Sequence, residues 1–468
     1  MKRIYVKETT KKEGEKIAVA GWVTAIRSHG KLIFADLRDF SGILQVVFNA
    51  QNSEVYDLAK KLHPEWVVEI EGEIKRRPEN LVNISIETGK IELVATGLKI
   101  LAESRVLPIN IDKDGYEIDE EKRLKYRYLD LRRKRLQRNI KERARVLKFM
   151  RDFLVEREFT EIETPILTKS TPEGARDFLV PARLHKGKFF SLPQSPQQYK
   201  QMLMVAGFEK YFQIARAIRD EDQRADRQAE HTQLDIEMSF CSQEEILELV
   251  EKLYIDLVKN LFPDKKIKEI PFPRITYKES MEKYNSDKPD LRNDKKDKNE
   301  MAFVFITDFP MFEWKEGDKR WGAMHHPFTK PQTDDIVAIK KDPSKILAFQ
   351  YDVVLNGFEI GGGSIRNTNT KVLMGVFRIL GNKEKEITEQ FSHYFEAFGF
   401  GVPPHGGIAM GIDRFLAILM NEPNIREVIA FPKTGDNRDV MIGTPSGVDK
   451  EQLKELGIEI RGRRSKKQ

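Results

Sequence analysis

The sequence predicts an α+β protein in two parts. The first is a small N-terminal β-barrel, and the second is a larger region in which helices flank a mixed, mainly antiparallel sheet. Short strand-like segments fill the first 100 residues, a strongly polar hairpin spans 211–240, and helical periodicity recurs from residue 137 onward. At 468 residues the chain is long enough for several domains, each with its own core.

The N-terminal segment predicts five strands with one helix after the third strand. The predicted strands are 17–23, 32–38, 43–48, 66–74 and 84–93, and the predicted helix is 54–62. This order is typical of an OB-type barrel, which binds single-stranded nucleic acid on its strand face. A cation, a stacking ring and hydrogen-bonding edges on that face would come from Arg27, Phe34, Arg38 and Gln45. A position in the barrel core would explain Phe34 equally well.

Composition and charge exclude several classes of protein. The single cysteine, Cys241, excludes a disulfide framework, and we expect no zinc site. No apolar run approaches the roughly 18 residues of a membrane span. The net charge of +6 permits a polyanionic partner. Because no signal-peptide pattern follows Met1, we expect a cytoplasmic protein that does not contact a membrane.

The segment 104–136 predicts a hinge, and the basic run 122–138 begins within it. Such a run suits contact with a phosphate backbone, and a solvated helix surface explains it equally well. A helix is predicted at 137–159, followed by a strand at 160–167 that contains Pro165. Because proline cannot donate to a ladder, we expect this strand at a sheet edge or a subunit interface.

The hairpin at 211–240 carries its charges on one face. Gln233, Asp235 and Glu237 share one side of its second strand, opposite an apolar side. The hairpin also contains four arginines, at 216, 219, 224 and 227. A solvated hairpin explains the alternation but not the arginines, so we predict a site for a ligand that carries charges of both signs.

A second hairpin predicts a site for Mg²⁺. The Asn-Gly pair at 356–357 indicates a two-residue turn that pairs Val354 with Glu359. Asp352 then shares a face with Glu359, and two carboxylates at a diagonal separation of roughly 7 Å repel each other unless a cation lies between them. Mg²⁺ suits such a site, because it is usually held by few protein carboxylates together with the phosphates of a substrate. The glycines that follow would let a ligand approach the backbone, and Arg366 would add a cation.

Further polar residues are candidates for the same site. Lys200 adjoins the buried stripe of a helix predicted at 196–207, and a surface lysine is the alternative. His325 and His326 are interpreted as hydrogen-bond donors at a site, with surface histidines as the alternative, because adjacent histidines make poor metal ligands. Arg414 opens a helix, where it opposes the macrodipole and is tolerated best beside an anion.

Several segments together resemble those of one family. They are RYLDLRR, TPEGARDFLVP, LPQSPQQYKQ, DEDQRADRQ, TQLDIE, MHHPF, GFEIGGGSIRN and GIDR. Over essentially the whole chain they are similar to the bacterial-type aspartyl-tRNA synthetases, which are class II aminoacyl-tRNA synthetases. The resemblance implies an OB-fold anticodon-binding domain, a hinge, a class II catalytic domain and a basic tail, at 1–103, 104–136, 137–460 and 461–468. The large insertion typical of the bacterial pattern looks deleted, and the residues in its place, 285–300, predict an exposed loop.

The resemblance implies an aspartate-tRNA ligase that acts as a homodimer. ATP and L-aspartate would give aspartyl-adenylate and pyrophosphate, and the aspartate would then pass to the 3′ end of tRNA(Asp). His29 resembles versions that also charge tRNA(Asn), and this alternative stays open. An asparaginyl-tRNA synthetase is disfavoured by Lys200 and Arg366, and an RNA-binding paralogue without activity is disfavoured by Arg219 and Arg414.

The resemblance also implies a role for each matching residue. Arg219 and Arg414 would be catalytic and bind the phosphates of ATP, and Asp352 and Glu359 would hold Mg²⁺. The other ATP-binding residues would be Asp220, Glu221, Gln228, His231, Glu359, Gly411, Ile412 and Asp413. The aspartate-binding residues would be Glu173, Ser195, Gln197, Lys200, Asp235, His325, His326 and Arg366. The tRNA-binding residues would be Arg27, Phe34 and Gln45 at the anticodon and Arg224 and Arg227 at the acceptor end. His231 replaces the phenylalanine on which adenine normally stacks.

Overall fold

The computed structural model describes residues 2–170, 175–221 and 227–460. Glu173, Arg224 and the tail 461–468 lie outside these ranges. The chain divides into two compact units, Met1–Asn110 and Ile111–Gln468. The first unit is a closed barrel and the second is built on an eight-stranded sheet, so the predicted α+β architecture is confirmed. Within the described ranges, no helix is both long enough and apolar enough to cross a membrane.

The barrel contains the five predicted strands and the helix after the third. They are β1 (Lys16–His29), β2 (Leu32–Arg38), β3 (Ile43–Asn49), α1 (Ser53–Ala59), β4 (Val67–Arg76) and β5 (Ile91–Ala102). Around the barrel the order is β1-β2-β3-β5-β4. The predicted start of the last strand at residue 84 is wrong, since Ile84 is 97% exposed. Asn83 closes a turn there by accepting hydrogen bonds from the backbone and hydroxyl of Ser85.

The second unit is organised around its large sheet. Its strands in chain order are β6 (Thr160–Glu161), β7 (Leu179–Pro181), β8 (Phe189–Ser191), β9 (Lys210–Ile218), β10 (Glu230–Ser239), β11 (Lys266–Ile267), β12 (Arg274–Thr276), β13 (Glu300–Met301), β14 (Phe303–Thr307), β15 (Phe312–Lys315), β16 (Arg320–Ala323), β17 (Gln350–Leu355), β18 (Phe358–Ile365) and β19 (His405–Gly411). The large sheet has the order β12-β14-β17-β18-β19-β10-β9-β6. Its end pairs, β12 with β14 and β6 with β9, are parallel, and the remaining pairs are antiparallel.

Strand β6 lies at the edge of the large sheet, as the proline in its sequence predicted. It is much shorter than the predicted strand 160–167, because the ladder ends before Pro165. The last pairing hydrogen bond runs from the Ile162 amide to the carbonyl of Phe212. The edge position therefore follows from the sequence, whereas the length does not.

The helices of the second unit lie on both sides of the large sheet. They are α2 (Glu120–Lys125), α3 (Arg127–Asp130), α4 (Lys134–Val155), α5 (Gln197–Val205), α6 (Gln243–Leu261), α7 (Tyr277–Tyr284), α8 (Ile336–Lys341), α9 (Thr370–Ile379), α10 (Glu384–Phe398), α11 (Ile412–Leu419) and α12 (Lys450–Leu456). Met150 of α4, Leu257 of α6 and Phe415 of α11 belong to one buried cluster with Leu234 and Ile236 of β10. Burial of these apolar side chains turns the polar side of β10 to the opposite face of the sheet.

Both interpretations of the basic run 122–138 are wrong for four of its arginines. These four side chains are buried: Arg123, Arg127, Arg133 and Arg135. They form ion pairs with three buried carboxylates: Asp130, Glu422 and Glu427. A buried guanidinium needs a fixed anionic partner, and the second unit supplies one for each of them. The run is therefore tied by ion pairs to the segment that contains Glu422 and Glu427.

Candidate active site

A cavity of about 410 Å³ lies over the polar side of β10. It brings together most of the predicted substrate residues, namely Ser195, Gln197, Lys200, Arg219, Glu221, Gln228, His231, Asp235, His325, His326, Glu359, Arg366, Gly411, Asp413 and Arg414. Arg227, predicted to contact tRNA, also lines it. Asp220, Ile412 and Asp352 are not among the lining residues of this cavity.

Small residues on β19 make room above the polar side of β10. Gln233, Asp235 and Glu237 pair with Gly411, Ala409 and Gly407 in the antiparallel ladder. A Cβ atom at Gly407 would lie 2.1 Å from the carbonyl oxygen of Ile236 and 2.2 Å from Oε2 of Glu237. Glycine is therefore required at 407, because the Glu237 side chain occupies the space that a Cβ would need.

Two cations and two carboxylates form a closed network at one end of the cavity. Nζ of Lys200 lies 2.9 and 3.1 Å from the carboxylate oxygens of Asp235 and 3.2 Å from Oε2 of Glu237. Arg366 donates two hydrogen bonds to Glu237, at 2.8 and 2.9 Å. All four side chains are at most 2% exposed. Their formal charges cancel, as burial in a low dielectric requires.

The network gives the two carboxylates different affinities for a proton. Burial disfavours the charged form of Glu237, but Arg366 and Lys200 outweigh burial and lower its pKa to about 2. Burial raises the pKa of Asp235, and Lys200 offsets part of that rise. Glu237 is the residue that the sequence-based assignment of site residues missed. The signal was present, because Glu237 continues the polar row of β10 by the period of two.

Arg366 is also held from the side opposite Glu237. Its Nη1 donates to Nε2 of His326 and to Oγ of Ser364, both at 2.8 Å. Burial lowers the pKa of His326 well below its usual range, so the ring is neutral. The interpretation of His326 as a hydrogen-bond donor is wrong at Nε2, because a guanidinium can only donate. Burial likewise lowers the pKa of His325 to about 4.

The other end of the cavity is strongly basic. Arg219 follows β9, and Arg414 lies in the first turn of α11. Arg414 donates to the carbonyl of Glu359 at 2.9 Å. His231 lies near both arginines, and burial together with their charges lowers its pKa to about 3. A neutral planar ring near these guanidinium groups can stack on a base while the arginines bind phosphate.

Asp413 lines the cavity, but its two oxygens bind elsewhere in the protein. Oδ2 accepts a hydrogen bond from the Thr232 amide at 2.8 Å, and Oδ1 pairs with Arg143 of α4. Arg143 also donates to Oγ1 of Thr232 at 2.9 Å. This arrangement fixes the start of α11, and with it Arg414, against β10. The sequence shows Arg143 as an ordinary helix residue, so no local signal identified this role.

The carboxylate pair lies on hairpin β17–β18, as predicted. Asn356 and Gly357 have positive φ angles of 52° and 86°, and Val354 pairs with Glu359. A bulge between Val353 and Val354 places Asp352 opposite Gly362 instead of its neighbour, which the turn rule could not reveal. A Cβ at Gly362 would lie 2.8 Å from Oδ1 of Asp352. The glycine therefore makes space for this carboxylate.

The carboxylate pair fits a divalent cation. Asp352 is 6% exposed, and its Oδ1 has no hydrogen-bond partner among the described residues. Burial and the charge of Glu359 raise the pKa of Asp352 well above its usual range. No group of three or more candidate metal ligands occurs in the described part of the chain. Mg²⁺ is commonly held by one or two carboxylates together with substrate phosphates and water, so two carboxylates suffice.

The barrel carries a separate candidate surface. Along β2, Ile33 and Leu37 are buried, whereas Phe34 is partly exposed, so the core alternative for Phe34 is wrong. Phe34 pairs with Arg27 of β1, which places a ring and a guanidinium side by side. Gln45 is 7% exposed, and its amide bonds Glu92 and Arg77. Phe34 is thus accessible to a base, whereas the half-exposed guanidinium of Arg27 is paired with Asp36 at 2.9 and 3.1 Å. Gln45 is engaged within the barrel.

A catalytic unit with an antiparallel sheet, arginines at both ends of a nucleotide-sized cavity, and a separate OB-type barrel together define a class II aminoacyl-tRNA synthetase. The chain belongs to the tRNA synthetases class II (D, K and N), whose model matches residues 119–435. The OB-fold nucleic acid binding domain matches residues 17–101. The predicted family is confirmed.

Curated relatives and solved structures agree with this family. Over 570 positions, the chain is 42% identical to an aspartate–tRNA(Asp/Asn) ligase of Rubrobacter xylanophilus, covering 96% of this chain and 95% of the relative. It is 39% identical over 586 positions to a protein of the same name from Dehalococcoides mccartyi, covering 97% of this chain and 98% of the relative. Asparaginyl-tRNA synthetase from Pyrococcus horikoshii has the same fold, with a TM-score of 0.74 and 23% identity over 93% of this chain and 98% of that chain.

The relative from Rubrobacter xylanophilus contains residues that have no counterpart in this chain. The match between the two proteins spans 570 positions, whereas this chain has 468 residues. In this chain, only residues 285–299 connect Tyr284 to β13. This length difference agrees with the predicted deletion.

Proposed function

We propose that this chain is an aspartate-tRNA ligase that activates L-aspartate with ATP and transfers it to the 3′ end of tRNA(Asp). The observation that carries the proposal is the buried network of Lys200, Asp235, Glu237 and Arg366, which shares one cavity with Arg219 and Arg414. A small dicarboxylic amino acid fits one end of this cavity and a nucleotide fits the other. The names of the curated relatives support the same activity.

In the proposed complex, the charges of the substrate aspartate are matched by side chains of the cavity. Lys200 and Arg366 bind the side-chain carboxylate, and Asp235 accepts hydrogen bonds from the ammonium group. Ser195 and Gln197 line the same end and bind the remaining polar atoms. An asparagine amide has one acceptor oxygen and turns an NH2 donor toward groups that can only donate, and such unsatisfied groups give strong discrimination.

The reaction then needs mainly positioning and charge neutralisation. The α-carboxylate attacks the α-phosphorus of ATP in line, the bond to the bridging oxygen breaks, and pyrophosphate leaves. Arg219 neutralises charge at the α-phosphate, and Arg414 binds the departing pyrophosphate. Asp352 and Glu359 would hold Mg²⁺, which would supply further neutralisation of the phosphates. A hydroxyl of the terminal tRNA ribose next attacks the mixed anhydride, and AMP leaves.

We further propose that the barrel binds the anticodon through Phe34 and Arg27, and that Arg227 contacts the acceptor end. The chain acts as a homodimer through edge strand β6, beside which Ile166 and Leu167 are 45% and 50% exposed. Exposed apolar residues next to an unpaired sheet edge favour a second copy as the partner. Light scattering of the purified protein tests this, and a monomer at micromolar concentration contradicts it.

Amino-acid-dependent exchange of pyrophosphate into ATP tests the activity. We expect exchange with aspartate and little with asparagine, and its loss in Arg219→Ala. Exchange driven by asparagine alone overturns the proposal, and no exchange with either amino acid favours an RNA-binding protein. Charging of purified tRNA(Asp) and tRNA(Asn) side by side then decides between specificity for tRNA(Asp) and the double specificity named for the relatives.

A further inference from the structure

The polar segment 286–292 is ordered against hairpin β17–β18, although its composition predicts an exposed loop. Ser280 of α7 donates to the carbonyl of Ser286 at 2.7 Å, and the hydroxyl of Ser286 accepts the Lys288 amide at 3.0 Å. Asp290 and Arg292 form a two-point ion pair at 3.0 and 2.8 Å. These bonds give the segment a defined path from α7 toward the core.

The other side of the segment packs on the hairpin that carries the carboxylate pair. Leu291 contacts the buried cluster that includes Val354 of β17. Cβ of Asp290 would lie 3.2 Å from a Cβ at Gly357, so the segment passes directly beside the hairpin turn. The backbone around Lys288 is therefore anchored at both ends.

Lys288 extends from this segment into the site. Its Nζ lies 3.0 Å from Oε2 of Glu359, and the residue lines the same cavity as Arg219 and Arg414. The positive charge of Lys288 also attracts the carboxylate of Asp352. Two carboxylates that would otherwise repel each other thus share one cation supplied by the chain.

We propose that Lys288 is the internal counter-cation of Asp352 and Glu359 and competes with Mg²⁺ for these two carboxylates. The inference rests on the proposed function only in assuming that Mg²⁺ binds there. Without the metal, Lys288 holds Glu359 in place and limits repulsion in the hairpin. Mg²⁺ would displace the ammonium group from Glu359, because two cations on one carboxylate repel each other. Lys288 thereby holds the two carboxylates in position before ATP binds, and it lowers their affinity for Mg²⁺ in the absence of nucleotide.

The test compares the binding of Mg²⁺ to nucleotide-free protein in matched variants. Lys288→Met removes the competing charge and keeps a similar shape, Lys288→Arg retains the charge, and Lys296→Met removes an exposed lysine from the same connection. We expect Lys288→Met to bind Mg²⁺ roughly tenfold more tightly by calorimetry, since affinity follows the net charge of the ligands. We also expect Mg²⁺ to raise its melting temperature by about 2 °C more than in the wild type. Lys288→Arg and Lys296→Met should behave as the wild type.

Two further comparisons make the result decisive. Equal or weaker Mg²⁺ binding in Lys288→Met, with an equal or smaller rise in melting temperature, overturns the inference. Adding Asp352→Asn should abolish the gain, and a gain that persists places the metal elsewhere and also overturns it. If Lys288→Met does not fold, the same measurements are made on Lys288→Gln, which also removes the charge. Aspartate-dependent exchange by the wild type is measured separately, so failure of the proposed function is distinguishable from failure of this inference.

Discussion

Glu237 joins Arg366 and Lys200 in one buried ion-pair network, although Arg366 lies 129 positions further along the chain. The carboxylate accepts two hydrogen bonds from Arg366 and lies 3.2 Å from Lys200. It contacts both cations that we assign to the substrate carboxylate. Glu237 is therefore a positioning residue, which decides where the two cations can meet aspartate.

Replacement of this carboxylate tests its role. Glu237→Gln leaves two buried cations with one counter-charge fewer, so we expect a loss of about 3 kcal/mol in the free energy of unfolding. We also expect the KM for aspartate to rise at least about tenfold, with a smaller change in the KM for ATP. Glu230→Gln on the same strand is the control, because Glu230 pairs with Arg216 and Lys433 at the surface. Equal rises in both KM values would show a general loss of structure instead.

His231 makes stability depend on pH. Its pKa is lowered to about 3 in the folded protein, whereas an unfolded histidine has a pKa near 6.5. The unfolded state therefore binds the extra proton below pH 6.5, and stability falls as the pH drops from 6.5 toward 3. In His231→Phe we expect this slope to be smaller by about 1.4 kcal/mol per pH unit, measured by denaturant unfolding. ATP-dependent exchange should survive, since phenylalanine also stacks. An unchanged slope would mean that His231 titrates normally in the folded protein.

Replacement of Asp352 should raise the stability of the protein and remove its metal binding. Because burial and Glu359 raise its pKa, its ionised form is unfavourable in the folded protein. We expect Asp352→Asn to raise the free energy of unfolding by about 1 kcal/mol in EDTA and to remove Mg²⁺ binding. Asp290→Asn is the matched control, and it should destabilise because Asp290 is paired with Arg292. A destabilised Asp352→Asn would contradict the strain that we assign to this carboxylate.

Phe34 should affect binding of tRNA without affecting adenylate formation. Loss of one stacking ring costs about 1–3 kcal/mol, so Phe34→Ala should raise the KM for tRNA by roughly tenfold or more. Pyrophosphate exchange needs no tRNA and should stay at the wild-type rate, which makes it the internal control. A change in exchange of the same size as the change in charging would argue against an anticodon role.

Much of the site followed from local patterns. The period of two in β10 predicted its polar side, and the Asn-Gly pair predicted the turn that brings Glu359 near Asp352. The same rules failed where the backbone departs from regular geometry. The bulge at Val353 and Val354 and the early end of β6 depend on neighbouring strands, which a single segment does not encode.

The sequence by itself determined the class of fold, the family and most of the polar residues that line the cavity, because turn chemistry, periodicity and motif spacing are properties of adjacent residues. Only the tertiary structure decided which charges are buried and with what partner. Glu237 pairs with Arg366, and Lys288 pairs with Glu359. Four arginines of the basic run are buried in ion pairs. A charge is stabilised by the dielectric and by the groups that distant elements bring to it, and neither is set until those elements pack together.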